Sequence, residues 1–222
     1  GVSKKSIRES GKLFKNICRK ILYSKIKEAE FIKLYSNANR YITFAIANQL
    51  YLMCEEYNIN FKKVRKLMRY GYERNLNLPM SGFSAGPCLL KDTMQLSSFL
   101  KGNFRLGSAA MQVNQKSMVD LVIEKIKKVK NFRRKTIGVL GIAFKAETDD
   151  TRDSLSLTLI KKLKRIKLKV IYTDIYYKDK YCYDLKSLIK KSDIIILGAP
   201  HKKYKKIKLP KNKNLIDIWE FI

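Results

Sequence analysis

Acidic residues are scarce in this sequence: 19 Asp and Glu stand against 48 Lys and Arg, a formal net charge of +29. Histidine is scarcer still, with His201 alone, in GAPHKKYKK. With no Ser or Cys partner at a recognisable spacing, it reads as a loop or capping residue, which argues against a Cys–His hydrolase. The four cysteines, Cys18, Cys54, Cys88 and Cys182, form no CxxC pair. That argues against a metal site and a disulfide framework, and fits a reducing cytoplasm. No apolar run reaches the roughly 18 residues that a membrane span needs, and GVSKKSIRESGKLFKN lacks the apolar stretch of a signal peptide. Glycine is thin as well. Gly138 and Gly141 are spaced GxxG with no third glycine, so the dinucleotide fingerprint GxGxxG does not occur.

What is present is enough for one large domain or two small ones: 222 residues, 45% of them hydrophobic. The positive excess raises nucleic acid as a partner. The lysines, however, punctuate amphipathic segments (KKVRK, EKIKKVK, KKLKRIKLK, HKKYKKIK) instead of forming one arm, and no nucleic-acid-binding motif accompanies them. An anionic small-molecule substrate suits the same field.

The apolar periodicity predicts one long helix over Glu28–Ile59, with Leu34, Ala38, Tyr41, Ala45, Asn48 and Leu52 on one face. A second apolar face (Ile42, Ile46, Leu50, Met53) marks a buried spine or an oligomer interface. NFKKVRKLMRYGYER follows as a shorter helix, Leu78–Pro87 as a loop, then helices over Lys91–Leu100 and from Phe104 to about Lys130. Beyond NFRRK the pattern changes. TIGVLGIAF, KVIYTDI and DIIILGAP read as strands, with SLSLTLIKKLKRI and DLKSLIKKS as helices between them and NLIDIWEFI as a last strand or strand-like tail. Strands alternating with helices imply a parallel sheet, hence an α/β class with a division near residue 131.

Three stretches carry candidate chemistry. In GFSAGPCLLKDT, Pro87 is suited to open a helix, which places Cys88 in its first turn. The positive helix terminus and Lys91 then favour thiolate over thiol. Asp92, four residues on, shares that helix face and can exchange a proton beside the sulfur. The alternative is a small packed hydrophobe. In EAEFIKLYSN, Lys33 and Asn37 are likewise four apart, an ammonium and an amide able to hold an oxyanion or a water. Otherwise the lysine snorkels and the asparagine bonds a neighbouring helix. In GVLGIAFKAETDDTRDS, Lys145 lies at the carboxyl end of a strand, where open α/β sheets bind ligands, and Thr151 or Ser154 is able to cap the next helix. With Arg152, this end offers a diphosphate site; an ordinary structural turn is the alternative.

Taken in order, the blocks AEFIKLYSNA, GFSAGPCLLKDTMQL, AAMQVNQ and LGIAFKAETDDTRDS resemble the UDP-glucose/GDP-mannose dehydrogenase family of nucleotide-sugar dehydrogenases. AGPCLLKDTMQL is similar to the branch that oxidises UDP-N-acetylhexosamines or related UDP-sugars to uronates. The resemblance covers nearly the whole chain. It implies an α/β multidomain protein: a remnant of an N-terminal domain and linker over 1–27, with Gly1–Val2 ending that domain's last strand, an all-helical central dimerisation domain over 28–130, and a Rossmann-like UDP-binding domain over 131–222. It implies a cytoplasmic enzyme that converts the primary alcohol of a UDP-sugar to a carboxylate by two hydride transfers to NAD. Cys88 forms a thiohemiacetal and then a thioester, Asp92 exchanges protons with water or sulfur, and Lys33 and Asn37 stabilise the oxyanion and orient the water. The backbone of Met80, Ser81, Gly82, Phe83, Ser84 and Ala85 wraps the UDP moiety, met by Phe144 and Lys145. Lys91 and Arg152 face the NAD pyrophosphate, and Arg74 reaches the substrate of a dimer partner. The family's GxGxxG domain and its catalytic glutamate are absent from these residues, so a separately supplied NAD-binding polypeptide is implied. The alternative is a non-catalytic UDP-sugar-binding or dimerising remnant.

Overall fold

A computed structural model describes residues 1–84 and 86–222. Its helical part is built on α2 (Ile26–Glu56), 31 residues without Gly or Pro. At 1.5 Å per residue this is a rod of about 46 Å. The helix stops earlier than the apolar pattern predicts because Asn58 turns left-handed, φ 53°. The Ile59 N–H then returns to the Cys54 carbonyl, 2.8 Å, and closes the end in a Schellman motif. The face predicted to be buried is buried at Ala38, Tyr41, Ala45 and Asn48, whereas Ile46 and Met53 of the second face are exposed. Against α2 lie α3 (Phe61–Arg69), α4 (Pro87–Phe99) and α5 (Arg105–Met111). A π-helical segment, Gln112–Ser117, joins α5 to α6 (Met118–Lys127), where periodicity alone predicts one uninterrupted helix.

At the start of the chain, Ser3 and Ser6 exchange hydrogen bonds in a capping box and open α1 (Lys4–Lys15). With serine in the place usual for Glu or Gln, this signal escapes a motif reading.

After residue 135 come β1 (Thr136–Leu140), α7 (Leu155–Arg165), β2 (Lys169–Thr173), α8 (Leu185–Lys191), β3 (Ile194–Leu197) and β4 (Asn214–Ile216). The four strands form a parallel sheet in the order β2-β1-β3-β4. Of the two candidate caps, Ser154 takes the start of α7, accepting from the Leu157 N–H. The strands' near-continuous apolar content follows from burial on both faces: every residue of β1 and β3 is buried. One hydrophobic core runs through both parts, joining Tyr51 and Phe61 to Met118, Val122, Ile137, Leu159 and Ile196. The helical part is thereby joined to the sheet and to α7 through one core. The order of β1 between β2 and β3 makes their junction a topological switch point, the usual place for a ligand crevice.

Candidate active site

A cleft of about 460 Å³ opens between α2, the loop leading into α4, and the carboxyl ends of the strands. Asn37, Met80, Phe83, Ser84, Cys88, Phe144, Lys145 and Arg152 all line it. Pro87 is the first residue of α4, so Cys88 sits in that helix's first turn with its side chain exposed. The residue before it, Gly86, has φ 107°, and a Cβ there would lie 2.6 Å from the Phe144 ring. Only glycine permits that approach, which brings the loop of the helical part onto the loop after β1.

Behind the cleft wall, Asp92 is 0% exposed. Its Oδ2 accepts from Lys33 Nζ at 2.5 Å and from Asn37 Nδ2 at 2.6 Å. Lys33 and Asn37 thus converge, but on a carboxylate. The arrangement is driven by the need to pair a buried charge. Burial by itself raises the Asp92 pKa; the bonds from Lys33 and Asn37, aided by the charge of Lys91, outweigh it and hold the carboxyl below its ordinary range. Asp92 Oδ1 accepts no hydrogen bond, and the Lys91 ammonium stands 3.5 Å from it. The acid is therefore held ionised, with one buried oxygen that accepts no hydrogen bond.

The loop before α4 is fixed from beneath. Asn48 accepts from the Gly82 N–H at 2.8 Å and donates to the Gly82 carbonyl at 3.0 Å and to Asn114 Oδ1 at 2.8 Å. Asn114, displaced inward by the π-helical turn, donates to the Tyr41 carbonyl, 3.0 Å. Ser81 Oγ donates to the Ile218 carbonyl, 2.7 Å, and the Trp219 ring covers Gly82 so closely that a Cβ would lie 2.2 Å away. Ser81 and Gly82 are consequently buried behind the cleft and do not line it. Asn48→Ala leaves three buried polar groups without partners. It is expected to cost about 3 kcal/mol, read as a lowered denaturant midpoint; a change below about 1 kcal/mol would remove the clamp from the account.

The remaining predicted residues are spread wider. Lys91 is exposed and turned to Asp92. Arg152 is exposed, bonded to the Asp150 carboxylate at 2.7 Å, and holds that carboxyl at about 2. Arg74 is exposed on a short turn and outside the cleft. Ala85 lies outside the described residues. The sequence reading passed over Arg40, Phe44, Asp150, Pro200 and Trp219, all in the cleft lining. For two of them a signal was available: Lys33, Asn37, Arg40 and Phe44 succeed one another at steps of four, three and four, one stripe of a helix. Nothing local marks Pro200 or Trp219, which arrive by strand topology.

His201 lies in the loop before a 3-10 turn, at its N-cap position, as expected; it is wholly buried, and its side chain makes no capping bond.

Residues 27–116 match the UDP-glucose/GDP-mannose dehydrogenase family, central domain, and residues 138–222 match its UDP binding domain. The chain belongs to the UDP-glucose/GDP-mannose dehydrogenase family. It is 30% identical over 219 residues to a UDP-N-acetyl-D-mannosamine dehydrogenase of Methanocaldococcus jannaschii, covering 97% of this chain and 50% of that protein. To its namesake from Pyrococcus horikoshii it is 28% identical over 213 residues, 93% of this chain and 50% of the relative. A solved structure of the UDP-D-ManNAc dehydrogenase from Pyrococcus horikoshii superposes with a TM-score of 0.88 at 26% identity, covering 100% of this chain and 55% of that one. The chain thus spans about half the length of the relatives it matches. The helical region followed by a parallel sheet is the architecture expected of such a family member. Among the described residues, no helix is long and apolar enough to cross a membrane.

Proposed function

We propose that the cleft binds a UDP-sugar and that the chain supplies the thiol chemistry of a nucleotide-sugar dehydrogenase forming a uronate. The observation that carries this reading is the union in one cleft of Cys88, exposed at a helix start, with Asn37 and the Lys33–Asp92 pair behind it. That relatives are UDP-N-acetyl-D-mannosamine dehydrogenases supports a UDP-N-acetylhexosamine. In this reading the nucleotide lies along Met80, Phe83 and Ser84 and is covered by Phe144, with Lys145 against the diphosphate. Ser81 and Gly82 shape that wall from behind.

The chain's residues serve two steps. In the first, the Cys88 sulfur adds to the aldehyde carbon; the C–S bond forms as the carbonyl becomes an alkoxide, which takes up a proton. Lys33, with 58% of its side chain exposed, is free to swing from Asp92 toward that oxygen, and Asn37 already lines the cleft. In the second, water attacks the thioester, Asp92 takes its proton, and the C–S bond breaks to return the thiol and leave the carboxylate.

The hydride losses call for NAD, whose chemistry is hydride acceptance. Among the described residues the fit to it is poor. Lys91 and Arg152 offer charge, but the N–H groups at the end of β1 that face a diphosphate in a dinucleotide fold are taken by Asp174, at 2.6 and 3.1 Å. We place the NAD site on another domain or polypeptide. A homodimer through the outward face of α2 is part of the same reading, supported by the exposure of Phe31, Ile32, Tyr35 and Ile46. There Arg74 would serve the partner's substrate.

Trp219 is the sole tryptophan and lines the cleft, so its fluorescence reports occupancy directly. UDP and UDP-N-acetylhexosamines are expected to change it saturably, with heat released in calorimetry, while NAD gives neither signal. Saturable NAD binding without UDP binding would sink the reading.

A further inference from the structure

The loop after β1 contributes Phe144 and Lys145 to the cleft, and one of its residues is strained. Glu147 has φ 57°, a left-handed conformation that costs a non-glycine residue energy and persists only where the surroundings impose it. Its surroundings do so from three sides. The Glu147 N–H donates to His201 Nδ1 at 2.9 Å, and its carboxylate accepts from the Lys202 N–H at 2.8 Å and the Tyr176 hydroxyl at 2.9 Å. The other ring nitrogen, His201 Nε2, stands 3.3 Å from Asp174 Oδ2. That same oxygen accepts from the N–H groups of Ile142 and Ala143, and Asp174 Oδ1 accepts from those of Tyr176 and Tyr177.

An N–H pointing at Nδ1 requires that nitrogen to carry no proton, so the neutral ring has its hydrogen on Nε2, facing Asp174. Asp174 and His201 are 1% and 0% exposed. One end of the loop is bound to Asp174, the other to His201, and the pair bind each other.

We propose that His201, fixed as its Nε2–H tautomer between Asp174 and the Glu147 N–H, is a positioning residue that holds the 142–147 loop in the shape presenting Phe144 and Lys145 to the nucleotide. The step from loop shape to nucleotide affinity rests on the reading of the cleft as a UDP site. A loop held in its binding shape spares the ligand that cost; one that samples other shapes lowers apparent affinity by the fraction of time it is competent.

The single histidine makes the first test direct. Long-range ¹⁵N spectra of the ligand-free chain are expected to show a protonated Nε2 and an unprotonated Nδ1; the opposite tautomer would overturn the proposal. In His201→Phe, which keeps a ring and removes both nitrogens, the Glu147 amide is expected to exchange about tenfold faster. UDP affinity, read by Trp219, should fall by about the same factor. His201→Asn, whose amide oxygen can accept in place of Nδ1, is expected to recover most of the affinity, which a merely space-filling role would not produce. Unchanged exchange in folded His201→Phe would refute the positioning role. If that variant does not fold, the wild-type Glu147 amide decides: it is expected to be strongly protected from exchange, and an amide exchanging as fast as in an open loop would count against the proposal. A wild-type chain that binds no UDP would reject the cleft reading, while tautomer and exchange still decide the role of His201.

Discussion

Cys88→Ala is expected to abolish uronate formation, by about 10⁴-fold or more, when the chain is assayed with an NAD-binding half supplied in trans. The size follows from what is removed. Oxidation of an aldehyde by hydride loss needs a tetrahedral carbon bearing an oxygen that can drive the hydride out. The sulfur adduct provides that carbon, and no other side chain among those lining the cleft is a comparable nucleophile. The first oxidation, alcohol to aldehyde, makes no covalent demand on sulfur. The variant should therefore release one hydride per sugar where wild type releases two, with the aldehyde recoverable by reduction with borodeuteride. UDP affinity should stay within about twofold, because Cys88 lines the cleft with an exposed side chain and the substitution removes only its sulfur. Full uronate production by Cys88→Ala would remove the sulfur from the chemistry and leave a UDP-binding module.

The elements of the fold were legible where chemistry is local. The parallel sheet could be read from four apolar strand runs alternating with helices, and the start of α4 from Pro87. Lys33, Asn37 and Asp92 were legible as candidates because each belongs to an i, i+4 pair on a helix. Their actual partner was not. That Lys33 and Asn37 close on Asp92, 59 and 55 residues away, depends on how α4 packs on α2, a tertiary fact without local signature. The same holds for His201. In sequence it is one polar residue in a lysine-rich loop; only the order β2-β1-β3-β4 sets the ends of β2 and β3 on either side of the β1 loop, with Asp174 facing His201. Asn114 escaped notice for another reason. A helix of regular pitch would carry it elsewhere, and the π-helical turn that aims it at Asn48 leaves no mark in apolar periodicity.

Asp92→Asn carries the second large effect and separates charge from shape. The amide keeps the volume and can still accept from Lys33 and Asn37 through its oxygen, so a folded protein is expected. What it loses is the capacity to take a proton from the attacking water, typically worth 10²–10⁴-fold. Turnover to the uronate should fall by about 10³-fold, with thioester accumulating on Cys88 and detectable by intact mass, whereas UDP affinity changes little. The pH dependence fixes the sign. Because the native carboxyl titrates below its unfolded value, the Lys33 and Asn37 bonds stabilise the fold fully above the ordinary carboxylate pKa of about 3.9 and less as pH falls through the lower native value. Acid should therefore destabilise wild type more steeply than Asp92→Asn in that range, and the two unfolding curves should converge as pH drops. Equal turnover in the two proteins would mean that the buried acid is a strut for Lys33 and that water finds its base elsewhere.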